Sequence, residues 1–252
     1  MSNEHSRPVP PDAVRVWRGF RSPSLSLPDF FTRLNTVFVP ATVEMQTRIG
    51  LDAYIPTVPA GFPGKPDGVP DETAVLFWDS QQTYEDGFRT LAVRTYTLTH
   101  GAVYVPDISR ADFPVPFAGT VAADQPCYLV DAPADWMRGT VTHLVGGRPE
   151  DVPAAQFLEQ AAAALADVAA DGLAGAVFCA GSDYLVYWEL RDGPASGPGA
   201  TLSALRQLTG WNHLATAAAT SLPAGLWDVW PGMDIVTGDS LNLQFQRGSD
   251  TE

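Results

Sequence analysis

Thr73-Ala74-Val75-Leu76-Phe77-Trp78-Asp79 is the stretch on which the architecture turns. Its run Val75, Leu76, Phe77, Trp78 is apolar at odd and even positions alike, whereas a strand with one wet face alternates. It reads as a strand covered on both sides. Val186-Tyr187-Trp188-Glu189, far downstream, is a second phrase of the same kind. Each is preceded by the same punctuation, Gly50-Leu51 and Gly172-Leu173, where a glycine stops a helix and a leucine opens a strand. These paired marks make the chain a tandem of two similar halves.

Outward from the first phrase, Val14 to Phe20 reads as a strand, and Ser26, Pro28 and Asp29 open a helix. Its stripe is Phe30, Leu34, Val37, Phe38, Ala41, Met45 and Ile49, with Pro40 as a kink. Leu51 to Val58 is a second strand, and 59–71 is a Pro/Gly loop. Ser80 caps one helix carrying Tyr84, Phe88, Leu91, Thr95 and Leu98, which ends near His100 and Gly101; Ala102 to Val105 is the fourth strand. The pattern then recurs. Met137 to Val145 is a strand, Pro153 opens a helix with Phe157, Ala161 and Leu165 on one face, and Leu173 to Cys179 pairs with Tyr184 to Leu190. A helix over Thr201 to Ala219 and strands at Leu226 to Trp230 and Leu241 to Phe245 complete it. The expected units are a flexible arm (1–12), a first half (13–106), a packed linker (107–135), a second half (136–247) and a tail (248–252).

The chain has 252 residues, 45% of them apolar, and a formal charge of −14 from 29 acids against 15 Lys plus Arg; Lys65 is the one lysine. That balance, with arginines scattered, disfavours nucleic acid and anionic membrane surfaces as partners. Cys127 and Cys179 form no CxxC pair, which argues against zinc, and no apolar run reaches the length of a membrane span. A polar N-terminal stretch points to the cytoplasm.

Each half reads strand–helix–strand–strand–helix–strand, the ferredoxin-like unit, whose sheet has helices on one face and a bare second face. Two such halves can cover each other sheet against sheet, as a closed or nearly closed barrel with helices outside. The chain thus resembles the dimeric α+β barrel superfamily in a fused, tandem form. That resemblance implies a small-molecule pocket, in a superfamily spanning cofactor-free monooxygenases, polyketide cyclases, dehydratases, haem peroxidases, lyases and isomerases. It leaves open whether the pocket lies between the halves or under the helices of one. Peroxidase motifs are not evident.

Among candidate chemical groups, His100 stands at a helix end, either a solvated cap or an acid/base at the pocket edge. His143 lies in strand phase with Val141 and Val145, an acid/base if that face lines an inter-sheet pocket and a core histidine if helices cover it. His213 falls on the last helix in phase with Leu205 and Thr209, and a haem alternative would make it the axial ligand. Asp135, beside Trp136, is a carboxylate with an aromatic neighbour that can raise its pKa. Trp78 and Trp188 are expected at corresponding positions on one sheet face with Leu76, Tyr184 and Val186, as core or as the wall of an aromatic site. Tyr84, Tyr184 and Trp136 extend that wall, while Arg15, Arg94 and Arg138 can pair with acids or hold a substrate carboxylate. The sum is a cofactor-free cyclase, isomerase, dehydratase or lyase of secondary metabolism with an apolar or aromatic substrate, monomeric or homodimeric. A haem enzyme and a non-catalytic ligand-binding module are the alternatives.

Overall fold

The computed structural model describes residues 13–39, 41–42, 49–78, 80–130, 134, 136, 139–166, 168, 172–193, 199–218 and 246–247. The first sheet holds β1 (Ala13–Gly19), β2 (Leu51–Thr57), β3 (Glu72–Trp78) and β4 (Arg110–Asp112) in the order β2-β3-β1-β4, every neighbouring pair antiparallel. α1 (Leu27–Arg33) starts where Ser26 Oγ accepts the Asp29 N–H, and it runs on as a π-helical turn over Leu34–Phe38. Gly50 takes φ 91°, a left-handed turn open to glycine because it has no Cβ, and the chain enters β2 directly after it. Where one helix was expected after Ser80 there are two, α2 (Gln81–Phe88) and α3 (Leu91–Leu98). The break has a local cause: the Thr90 side chain accepts the Val93 N–H and caps a fresh start.

The fourth strand is also displaced from its expected place. Thr99–Ala102 is a 3-10 turn, and Tyr104 makes an isolated bridge to Arg21. Pro106 has no N–H to offer a ladder, and the chain reaches β1 only at Arg110–Asp112.

The second half repeats the order with β7 (Thr140–Gly147), α4 (Ala154–Leu165), β8 (Gly175–Ala180), β9 (Tyr184–Arg191), α5 (Ala200–Gln207) and β10 (Trp211–Ala218), arranged β10-β7-β9-β8. Both halves are therefore ferredoxin-like, with the fourth, first, third and second strands side by side. The last helix is shorter than expected: Trp211–Ala218 is a strand paired with β7 along its whole length. Small residues there (Ala215, Ala217, Ala218) imitate helical composition, but β7 supplied an open edge, and context overrode propensity. The expected strands at 226–230 and 241–245 lie outside the described residues, as do the arm and the tail.

The segments that follow the two halves are exchanged. β5 (Val115–Pro116) and β6 (Cys127–Tyr128), from the connector after the first half, extend the second sheet beyond β8. β11 (Gln246–Arg247), after the second half, extends the first sheet beyond β2. Each half thus covers the second-strand edge of the other, an edge that would otherwise offer unpaired N–H and C=O groups.

Packing follows from strand alternation. Val14, Val16, Val75 and Phe77 of the first sheet meet Val141, Val145, Val186 and Trp188 of the second in one inter-sheet core. A second core lies between the first sheet and α1, a third between the second sheet and α4 and α5. Every residue of β3 is buried, as is β9 up to Arg191, in accord with strands covered on both sides. The two sheets face each other without sharing a strand, so among the described residues they form a sandwich and not a closed barrel. No described helix is long and apolar enough to cross a membrane.

One correction follows from the same alternation. Trp78 and Leu76 point to the helices, while Trp188, Tyr184 and Val186 point between the sheets. The two tryptophan phrases are one residue out of phase, and with a period of two that puts them on opposite faces.

Candidate functional site

A cavity of about 380 Å³ lies in the first half, between the helix-facing side of its sheet and α1, α2 and α3. Its floor comes from alternate residues of β1, Arg15 and Trp17, with Leu76 of β3 and Tyr54 of β2. Phe38, Tyr84, Val93, Tyr96, His100 and Tyr104 close it from the helical side. Phe88 and Leu98 line it too and are 38% and 80% exposed, so the rim presented to solvent is apolar.

His100 stands in this wall at the end of α3. Its Nδ1–H donates to the Thr97 carbonyl at 3.0 Å, which fixes the tautomer and leaves Nε2 as a lone-pair acceptor. The rings of Phe38, Tyr96 and Trp17 meet it edge to face at 4.8, 5.1 and 5.3 Å. Burial in that aromatic cage lowers its pKa to about 4, so the imidazole is neutral at pH 7. This corrects the solvated-cap alternative.

Arg15 supplies the cation. Its guanidinium lies 4.0 Å over the Tyr84 ring and 5.3 Å from that of Phe113, and Nη2 donates to the Ala111 carbonyl at 2.5 Å. Its Nε is buried without a hydrogen-bond partner, and among the described residues Arg15 makes no ion pair; Asp112 serves Arg18 and Arg110 instead. Desolvation lowers its pKa, but a guanidinium stays charged.

At the other end a carboxylate is buried behind the wall. Glu72 accepts from Trp17 Nε1 at 2.8 Å, from Tyr54 OH at 2.5 Å and from Tyr104 OH. Burial pushes its carboxyl up while the three donors pull it back. Three converging donors suit the ionised form, which can only accept. The burial that raises Glu72 also raises the hydroxyls of Tyr54 and Tyr104 well above their ordinary value, with the Glu72 charge adding to it. Gly19 sits opposite Glu72 in the register, and a Cβ there would lie 2.6 Å from the Tyr104 ring, so glycine makes room for this cluster.

Of the residues expected from sequence, the structure brings His100, Tyr84 and Arg15 into the cavity, and Arg138 lies outside the described residues. Trp78 lies behind Tyr84, its ring edge to face with it at 4.8 Å. Arg94, expected at the substrate site, is instead exposed on α3 and is not among the residues lining this cavity. Trp188, Trp136 and Tyr184 belong to the inter-sheet core, where Trp136 packs on Phe77 and Tyr184 OH donates to Asp124 Oδ1 at 2.7 Å. None of the three lines the first-half cavity. His213 is a strand residue stacked on Phe62 at 3.4 Å, not a helix residue. Asp135 lies outside the described residues. Sequence reasoning missed Glu72, Tyr54 and Tyr104 and undervalued Trp17. A usable signal was Glu72, a charge heading a strand whose last five residues, Ala74 to Trp78, are all apolar.

His143 faces between the sheets, yet that face is core. Its Nδ1–H donates to the Tyr187 carbonyl and Nε2 accepts from Thr73 Oγ1, each at 3.0 Å, and the ring stacks on Trp188 at 4.2 Å. Both nitrogens are used, one of them to tie the halves together. Burial lowers its pKa to about 3. In the unfolded chain a histidine takes its proton near pH 6.5, so between about 6.5 and 3 the unfolded state binds the extra proton. Stability is therefore full above that window and falls as pH drops through it, by about 2 kcal/mol at pH 5 from this residue. Urea unfolding at pH 7 and pH 5 checks it: His143→Asn should lose less on acidification than wild type. Glu72, whose raised pKa acts in the opposite sense, cancels in that difference.

Among the described residues no three or more His, Cys, Asp or Glu gather as a metal site, and Cys127 and Cys179 are free and buried on opposite faces of the second sheet.

No protein-family model matches this chain and no curated protein does. Solved structures with some likeness include a proposed monooxygenase from Lactobacillus acidophilus (8% identity, 84% of this chain and 95% of that one, TM-score 0.33). Another is an anthrone oxidase-like protein (14%, 85% and 96%, TM-score 0.36). A third is a proposed monooxygenase from Fusobacterium nucleatum (6%, 81% and 90%, TM-score 0.34). At these TM-scores the fold stands on the strand order and register above.

Proposed function

We propose that this protein is a cofactor-free small-molecule enzyme. A flat aromatic substrate with an acidic hydroxyl enters the first-half cavity, and His100 Nε2 takes a proton from it. Arg15 stabilises the negative charge that the departing proton leaves on oxygen. The observation that carries this is the pairing, in one apolar cavity, of a neutral histidine with a fixed tautomer and a guanidinium without an ion-pair partner among the described residues. A neutral imidazole is ready to accept, and a desolvated cation attracts an oxyanion far more strongly than a hydrated one. Proton removal of this kind serves cyclisation, isomerisation, dehydration or elimination alike, and the aromatic walls supply orientation.

Titration with 1,3-dihydroxynaphthalene, followed by tryptophan fluorescence through Trp17, tests the site. Saturable binding is expected, weakened about 10- to 100-fold in Arg15→Met by loss of a charge-assisted hydrogen bond. Binding that ignores this substitution sinks the reading.

A haem alternative with His213 as axial ligand draws no support from this cavity, because His213 stands on β10 of the second half and does not line it. A spectrum without a Soret band after haem titration removes the alternative.

A further inference from the structure

The cavity floor is polarised along its length. Register pairs Arg15 with Leu76 and Gly19 with Glu72, so the two charged residues stand four strand positions apart on the same face, about 13 Å along the sheet. Trp17 lies between them. Arg15 is in the wall itself, whereas Glu72 is one layer behind it, reached through Trp17, Tyr54 and Tyr104, all three of which line the cavity. Among the described residues neither charge has a salt-bridge partner to neutralise it.

We infer that Glu72 is a positioning residue that sets which way round the substrate lies, and that the substrate is an elongated flat molecule with an acidic oxygen at one end and a neutral hydroxyl at the other. This rests on the reading of the cavity as the substrate site. In a low-dielectric cavity a second anion at the Glu72 end meets a like charge with little water to screen it. The carboxylate also commits its three neighbours to donating inward. The Tyr54 and Tyr104 oxygens then have acceptor capacity left and no hydrogen to give, which suits a donor and repels an anion. The acidic end is thereby sent to Arg15, next to the histidine that handles the proton.

Three naphthalene probes separate the outcomes: 2-naphthoate, 6-hydroxy-2-naphthoate and naphthalene-2,6-dicarboxylate. Wild type should bind the first two and disfavour the dicarboxylate at least tenfold against the hydroxy acid. Glu72→Gln should bring that ratio to within about threefold; the ratio is read on one protein preparation, so partial unfolding does not move it. Should the variant fail to fold, a crystal of wild type with 6-hydroxy-2-naphthoate decides. The carboxylate is expected at Arg15 and the hydroxyl toward Tyr54 and Tyr104, and the reverse orientation overturns the inference. Equal affinity for the dicarboxylate in wild type, or a ratio unmoved in Glu72→Gln, also overturns it while leaving the cavity reading intact. If none of the three probes binds, the cavity reading itself falls and takes this inference with it.

Discussion

His100→Ala is expected to slow proton exchange catalysed by the protein by about ten- to a hundredfold, the low end for losing a general base, because an imidazole with a pKa of about 4 is a weak acceptor. The measurement is deuterium wash-in from D2O at C2 of 1,3-dihydroxynaphthalene, followed by proton NMR. Removing the hydroxyl proton makes C2 nucleophilic; C2 then takes a deuteron from solvent and the ring regains aromaticity by losing its original C2 proton, so the wash-in rate reads how readily the oxyanion forms. His100 sits in a cavity wall and not in a close-packed core, so the truncation enlarges an existing space and leaves the sheets alone. The pH profile makes the claim sharper. With a pKa of about 4, the base is already unprotonated at pH 5, and the exchange rate should be flat with respect to this group from there to neutrality. It should fall only as pH drops through about 4, where Nε2 is occupied by a proton. A rate limited instead by a group near pH 6.5 would identify a solvated histidine or another base. His143 offers the contrast: with both nitrogens spent on Thr73 and Tyr187, its removal should cost stability and leave the per-molecule exchange rate of the folded protein unchanged.

Much of the fold was legible because buried strands announce themselves. The unbroken apolar run at Val75–Trp78 forced a strand covered on both faces, and Gly50 and Gly172, both at positive φ, mark turns ahead of β2 and β8, although α4 itself ends earlier, at Leu165. The topology of two ferredoxin-like halves followed. Other features depend on tertiary context that local patterns do not carry. Whether Trp211–Ala218 is helix or strand was decided by the open edge of β7. Whether β4 begins at Ala102 or Arg110 was decided by where the chain could reach β1. The site was the least legible part. Arg15, Trp17 and Gly19 alternate along β1 with inward-facing residues, and nothing in that alternation says that Gly19 lies opposite Glu72. The Glu72 cluster draws on β1, β2, β3 and the turn bearing Tyr104, so it exists only once the register is known. His100 looked like a solvated helix end because the break at Thr90 was not foreseen. That break ends α2 and sets α3 in its own phase, with Val93 and Tyr96 turned inward.

The two tryptophans that a linear repeat would equate should behave differently when removed. Both are fully buried, and Trp188→Ala and Trp78→Ala should each cost about 3–5 kcal/mol, the usual range for emptying such a site. For a chain of this size that lowers Tm by roughly 10 °C. The ligand readout separates them. Trp188 packs in the inter-sheet core against His143, on the far side of the first sheet from the cavity, so Trp188→Ala should keep the affinity for 1,3-dihydroxynaphthalene within about twofold below its lowered Tm. Trp78 supports Tyr84, whose ring carries the Arg15 guanidinium on one of its faces. Truncating it lets Tyr84 retreat, and Arg15 loses the surface that aims it. Affinity should then drop about tenfold, comparable to loss of a cation–π contact in a desolvated site. Fluorescence titration of both variants beside thermal denaturation gives the comparison. Equal losses of affinity would mean that the inter-sheet core and the cavity are one coupled unit, and that the helix-facing cavity is not an independent site.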